Sequence, residues 1–329
     1  MPDLSVILPA RDAAGTIARA VTSTLRALPD DAELVVLDDG SSDDTAARAQ
    51  DAAERVRATG ASFRVETSAE GSGGVAPALN RLLQLTDSRL VGRMDADDVT
   101  LPGRFTRGLR AISRGEDVVF HQIIEFGART RPMAPTGISA EAFPLHLLLT
   151  NPVSHPTMLS RRELLDGVGG YRSVPAEDYD LWLRLAASGA RLTRLAAWGL
   201  LYRIHPDQVT ASSQWRGRSW SDPAQAQAYA DLSEQLTGER LPRIVQLPAM
   251  PRAERLRVLD SLDAAVTERS AALSRSEQAL LRRRLDKRRR WALAAPEPRE
   301  TAPAAPGTEP PEQHAAPSPT TPPAGADNE

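Results

Sequence analysis

Three carboxylates fall within four positions at Asp95-Ala96-Asp97-Asp98, and they repel one another unless a cation or hydrogen-bond donors compensate. A hard divalent cation such as Mn2+ or Mg2+ takes oxygen ligands and keeps positions open for phosphate oxygens, so one aspartate can bridge metal to diphosphate. Asp97 is the expected ligand. An acidic triplet standing alone reads more naturally as a solvated turn. This one follows directly on Leu90–Met94, which reads as a buried strand. The acids then lie at a strand's carboxyl end, the edge where open α/β sheets bind ligands.

Three further groups accompany it. Asp38-Asp39-Gly40-Ser41-Ser42 ends a second apolar run, where a carboxylate can accept hydrogen bonds from a base N–H or ribose hydroxyls and Gly40 lets the backbone turn closely past the ligand. Helix capping by Ser41 or Ser42, with Asp43 and Asp44 at the helix's positive end, accounts for the rest of that segment. Glu177, Asp178 and Asp180 open an amphipathic stretch, and a carboxylate there could act as general base on a sugar hydroxyl; Asp178 is the candidate. Favourable charge at a helix amino terminus is the competing explanation, and Glu177 or Asp180 can satisfy it. His205, in Tyr202-Arg203-Ile204-His205-Pro206-Asp207, could complete a metal site, although a lone histidine is more often a hydrogen-bonded surface or core residue. The glycine run Gly71-Ser72-Gly73-Gly74 is supporting only, since such loops serve turns as often as phosphates.

The elements that must position these residues alternate from the start. Leu4–Pro9, Glu33–Asp38, Phe63–Thr67, Leu90–Met94 and Asp117–Glu125 read as strands, with helices at 14–27, 43–58, 71–85 and 176–188 between or after them. That is an α/β chain with a mostly parallel sheet. Residues 1–215 are expected to form the catalytic domain and 216–293 a helical extension. The stretch 294–329 holds ten of the 26 prolines and almost no large apolar side chains, so it is expected to be disordered. A net charge of −3 gives no basic field for nucleic acid, and no apolar stretch reaches the roughly 20 residues that cross a bilayer. Cysteine is absent and no basic leader precedes the first strand, which together lead to a cytoplasmic expectation.

Taken together, these residues resemble the family 2 glycosyltransferases of the A-type fold, particularly bacterial enzymes that extend surface polysaccharides, over roughly the first two-thirds of the chain. Ser5 to Asp12 is similar to the family's opening strand, which implies that Pro9 and Arg11 lie at the nucleotide, although a Tyr-Asn pair is commoner where this chain has Arg11-Asp12. Leu37 to Thr45 resembles the uridine-contacting motif, implying nucleotide roles for Asp38 and Asp39, with Asp39 meeting the base. The segment from Arg93 to Asp98 resembles the family's D-x-D element, which puts Asp97 on the metal, Asp95 near the ribose and Arg93 beside the leaving group. Glu177 to Trp182 looks like the motif that carries the base, implying Asp178 as base with Glu177 and Trp182 at the substrate, and Tyr202 to His205 is similar to the closing motif whose histidine reaches metal or diphosphate. The implied reaction is a single inverting displacement. On this resemblance a UDP- or dTDP-linked sugar donor gives its sugar to a glycan or lipid-linked acceptor.

Rival classes fit less well. An aspartyl-phosphate phosphatase also uses D-x-D, but on the first strand of its domain and normally with a lysine, whereas the sole lysine here is Lys287. A dinucleotide fold needs closely spaced glycines after the first strand, where this chain has Arg11-Asp12-Ala13-Ala14-Gly15. A transferase domain retired to a scaffold would have no need of Asp97, Asp178 and His205. The basic run 281–291 could rest on an anionic membrane, or simply be a solvated helix.

Overall fold

Strand β1 (Leu4–Ala10) is buried on both faces: Leu4, Val6 and Leu8 enter one core and Ile7 the other. Continuous burial of this kind is what a central parallel strand requires. The computed structural model describes residues 3–56, 60–68, 70–205 and 213–297. The proline-rich stretch from 298 onward lies outside them, as do Pro206 and Asp207.

The chain continues through α1 (Ile17–Ala27), β2 (Ala32–Asp38), α2 (Thr45–Glu54), β3 (Ser62–Thr67), α3 (Val75–Leu85) and β4 (Leu90–Arg93). These strands stand parallel in the order β3-β2-β1-β4. Then come β5 (Val99–Thr100), α4 (Arg104–Ser113), β6 (Val118–Gly127), β7 (Arg131–Pro132), α5 (Phe143–Leu149), β8 (Leu159–Arg161), α6 (Arg162–Gly167), α7 (Glu177–Ala187) and β9 (Leu192–Ile204). Beyond β4 the sheet turns mixed: β8 is antiparallel to both β4 and β6, β9 runs parallel to β6, and β5 is antiparallel to β9. The inserted antiparallel β8 leaves β4 and β6 running the same way, in keeping with a mostly parallel sheet.

Helices α8 (Ser213–Ser221), α9 (Pro223–Thr237), α10 (Arg252–Arg269) and α11 (Arg275–Leu293) complete the described chain. Two cores flank the sheet. One holds α1, α2 and α4 against Val6, Leu8, Val36 and Leu90. The other buries Leu181 and Trp182 of α7 together with Leu259 of α10 and Leu281 and Leu285 of α11. The helices expected as an extension therefore share a core with the sheet, inside one compact unit that ends at Glu297.

Candidate active site

The carboxyl ends of β1, β2 and β4 lie side by side, with Ala10 paired to Asp38 and Ile7 to Arg93. Three acidic loops therefore meet at one edge. In the first, Asp38 Oδ1 accepts from the Ser41 backbone N–H at 3.2 Å and also from the Ser41 hydroxyl. Ser42 donates its N–H and hydroxyl to Asp12 at 2.8 and 3.0 Å. Neither serine caps α2, contrary to the capping expectation; Asp43 Oδ1 takes the Thr45 N–H instead. Asp39 Oδ1 accepts from the Ser72 N–H at 2.6 Å. Gly40, at φ +74°, packs so closely on the glycine run that an added Cβ would stand 3.0 Å from the Gly71 nitrogen. Gly71 thus becomes part of the site's frame. Arg11 is exposed, its guanidinium beside Gly71, and Pro9 is partly buried in β1.

In the loop after β4, carboxylate oxygens of Asp95, Asp97 and Asp98 lie within 4.8 Å of one another. Arg93, buried, forms an ion pair with Asp95, while its Nε has no acceptor. Asp98 is almost fully buried; Oδ1 accepts the Arg203 N–H at 2.8 Å and Oδ2 has no donor. Burial first, then Asp95 and Asp97, pushes the Asp98 carboxyl well above the usual range, and burial with Asp95 raises Asp97. A divalent cation fits this set: the donors are carboxylate oxygens, one of them is buried without a partner, and mutual repulsion awaits a positive charge. His205 Nε2 stands 3.4 Å from Asp97 Oδ2, so the histidine at the end of β9 joins the loop.

A cleft of about 720 Å³ runs from Arg93 and Asp95 past Glu177 and Asp178. Asp178 accepts a hydrogen bond from Asn151 Nδ2 at 2.8 Å, and burial followed by the Glu177 charge raises its pKa. Glu177 lies 3.6 Å from His155 Nδ1, and burial raises it too. His155 Nε2 meets the Tyr171 hydroxyl at 3.0 Å, and burial with Arg93 drives the imidazole pKa down to about 3, so the ring is neutral. Asp180 turns the other way, fully buried in ion pairs with Arg184 and Arg172, so it holds the helix rather than the site. Ala176 enters α7 at φ +57° and Asp12 stands at φ +48°, the two non-glycine residues with positive φ among those described, and both flank the site.

Of the residues singled out in the sequence, Asp38, Asp39, Arg93, Asp95, Asp97, Glu177, Asp178 and His205 converge on this edge. Trp182 does not: it is 0% exposed, its ring packed edge-on to Phe120 and His155, and it supports the cleft from beneath without reaching it. Asn151 and Tyr171, from segments that resemble those leading to the family's base, brace the acids: Asn151 holds Asp178 directly, and Tyr171 holds His155, which faces Glu177. Trp220, Tyr229, Arg243 and Arg288 reach the cleft from segments beyond residue 216, with no sequence pattern tying them to it.

Residues 5–168 match the model of the family described as glycosyl transferase family 2. The chain is similar to the succinoglycan biosynthesis protein ExoU of Rhizobium meliloti, 31% identical over 226 residues that make up 64% of each chain. It is also similar to the amylovoran biosynthesis glycosyltransferase AmsE of Erwinia amylovora, 27% identical over 43% of this chain and 55% of the relative. The matches thus span less than two thirds of these relatives' length. Among solved structures, S. aureus TarS 1-349 in complex with UDP-GlcNAc superposes with a TM-score of 0.57 at 19% identity, over 89% of this chain and 90% of that one. The mannosyltransferase PcManGT from Pyrobaculum calidifontis, in complex with GDP-Man and Mn2+, gives 0.51 at 20% identity over 88% and 83%. With its acidic loops gathered at the carboxyl edge of such a sheet, the chain belongs to the family 2 glycosyltransferases and has the A-type glycosyltransferase fold.

Proposed function

We propose that the protein transfers a sugar, with inversion, from a UDP- or dTDP-linked donor to a hydroxyl of a glycan or lipid-linked acceptor in cell-surface polysaccharide synthesis. The observation that carries this reading is Asp178. It stands on the wall of the cleft that Arg93 and Asp95 also line, with a raised pKa. Asn151 fixes the carboxylate's orientation. In the proposed step Asp178 takes the proton of the acceptor hydroxyl as its oxygen attacks the anomeric carbon, and the bond to the nucleoside diphosphate breaks on the opposite side. Asp38 and Asp39, with Pro9 and Arg11, hold the nucleotide; Asp95 sits near the ribose and Glu177 beside the reacting sugar.

Mn2+ or Mg2+, held by Asp97 with His205, would neutralise the charge that develops on the diphosphate. Arg93 adds a fixed positive charge there. The relatives named for succinoglycan and amylovoran biosynthesis support the polysaccharide setting, the UDP-GlcNAc complex supports a uridine donor and the Mn2+ complex supports a metal. No helix among the described residues is long and apolar enough to cross a membrane, and the proposed place of work is the cytoplasmic face of one.

Thermal-shift titration with UDP-, dTDP- and GDP-sugars in Mn2+ or Mg2+ tests the donor, because a ligand that binds only the folded state raises Tm by mass action. A uridine or thymidine diphosphate sugar should stabilise the protein most. Asp97→Ala and Asp178→Ala should each abolish transfer, and near-normal turnover in either removes that residue from its role.

A further inference from the structure

Arginines that only brace a fold use up their donors. Arg255, fully buried, gives its N–H groups to the carbonyls of Pro248, Met250, Ala292, Ala295 and Pro296. Two other arginines in the same part of the molecule do not. The Arg243 side chain, in a residue 5% exposed, makes one hydrogen bond, Nη1 to the Ser219 carbonyl at 2.6 Å. Arg288 donates Nε to the Leu149 carbonyl and Nη2 to Thr150 Oγ1, both at 2.8 Å. Among the described residues no carboxylate pairs with either, and both line the cleft that contains Asp178.

Asp222 bears on Arg243 only from beyond ion-pair distance, and the placement of the two arginines is as informative as this lack of a paired carboxylate. The Arg243 guanidinium lies 5.4 Å from the centre of the Tyr179 ring, and Arg288 acts on the same tyrosine, the next residue after Asp178. Arg284 adds positive charge nearby, its Nη1 2.9 Å from His146 Nδ1, a ring kept neutral by burial with a pKa of about 2. Cations taken from water without a counterion are costly, and a fold that keeps two of them at a cleft gains when an anion enters. Trp220, 39% exposed, also lines this cleft, its ring T-shaped against Trp291 at 6.1 Å between centroids.

Building on the transferase reading, we propose that Arg243 and Arg288 form an oxyanion subsite for the acceptor. It takes a carboxylate or phosphate carried by that molecule while the acceptor's hydroxyl reaches Asp178. Guanidinium groups suit both oxyanions because their N–H pairs match the spacing of two oxygens.

The full chain, saturated with UDP and Mn2+, can be titrated by NMR with methyl β-D-glucuronide, geranyl diphosphate and methyl β-D-glucoside, so that glycan carboxylate and lipid diphosphate are separate arms. At least one anionic probe should bind tenfold or more tightly than the neutral glucoside. That preference should fall at least tenfold in Arg243→Gln and Arg288→Gln and be largely kept in Arg288→Lys. Equal binding of charged and neutral probes overturns the proposal, as does absence of binding by either anion at millimolar concentration, or undiminished anion binding in both glutamine variants. UDP binding read in the same samples separates the two claims: a wild-type chain that binds no nucleotide sinks the transferase reading instead. If a glutamine variant loses UDP binding through misfolding, wild-type selectivity and Arg288→Lys decide.

Discussion

The backbone N–H of Arg203 donates to Asp98 Oδ1 at 2.8 Å, joining the loop after β4 to the end of β9 across 105 positions of sequence. A second bond, from Arg203 Nε to the Asp97 carbonyl at 2.9 Å, reinforces it. Together they decide where His205, two residues on, can stand, and so bring its Nε2 to 3.4 Å from Asp97. Asp98 is thus a brace for the loop after β4 as well as a member of the acidic cluster.

This gives the first prediction. Asp98→Ala leaves the Arg203 N–H without its acceptor and should cost about 1–3 kcal/mol of stability, read by urea unfolding. Asp98→Asn keeps an acceptor oxygen and removes a buried charge, so it should fold at least as well as the wild type while binding Mn2+ more weakly. Equal stability of the alanine variant and the wild type would refute the bracing role.

At the nucleotide end, Gly40 should not tolerate a side chain. Its φ of +74° costs an alanine about 1–2 kcal/mol, and the added Cβ would press on the Gly71 nitrogen, shifting the backbone that presents the Ser72 N–H to Asp39. Gly40→Ala is expected to weaken UDP binding at least tenfold by calorimetry. By contrast Gly73→Ala, whose Cβ meets nothing within 4 Å, should lose stability through its φ of +81° and leave UDP affinity near normal. Matching losses of affinity in both variants would point to a general loosening of the loop.

These two cases show what the sequence could and could not convey. Leu90 to Arg93 is a short strand buried throughout that leads straight towards Asp95, so the strand before the acidic loop was legible from sequence pattern. The split between Asp38 and Asp39 was not, because it depends on Ser41 and Ser72, and Ser72 arrives from a loop 33 residues away. Strand β8 has three residues, too few for alternation to show, and its antiparallel entry between β4 and β6 is a tertiary fact. Trp182 sits in a motif full of site residues, yet helical spacing turns it inward to the core. Arg288 looked like one charge in a basic run; only folding gives it Leu149 and Thr150 as partners.

That basic run carries the third prediction. Arg282 and Arg289 pair with Asp263 and Asp260, and Arg284 and Arg288 bond into the protein, so the exposed basic residues of this run that form no ion pair among the described residues are Arg283, Lys287 and Arg290. Spacings of four and three put them on one face of α11. Each basic residue near an anionic surface is worth about 1 kcal/mol, so replacing all three with Gln should weaken binding to phosphatidylserine vesicles by roughly a hundredfold. Unchanged sedimentation removes the membrane reading. Cutting the chain within α11 would not test it, since Leu281, Leu285 and Ala292 belong to the core.

The last prediction concerns the base itself. Burial and the neighbouring Glu177 raise the Asp178 pKa above its ordinary value of 3.8. The folded state therefore holds that proton more tightly than the unfolded chain does. Any stabilisation from this linkage is present below the unfolded pKa and is lost as pH rises through the folded one, so at neutral pH the charged carboxylate is a burden on the fold. Asp178→Asn should relieve it and raise Tm near pH 7, by roughly 2–4 °C for each kcal/mol recovered, while transfer is abolished. In the wild type, kcat/KM should climb with pH through the raised pKa, because only the deprotonated carboxylate accepts the acceptor's proton. A lower Tm in the asparagine variant, or a wild-type profile flat from about pH 4 to 7, would count against Asp178 as the buried base, since burial that raises its pKa must appear in both measurements.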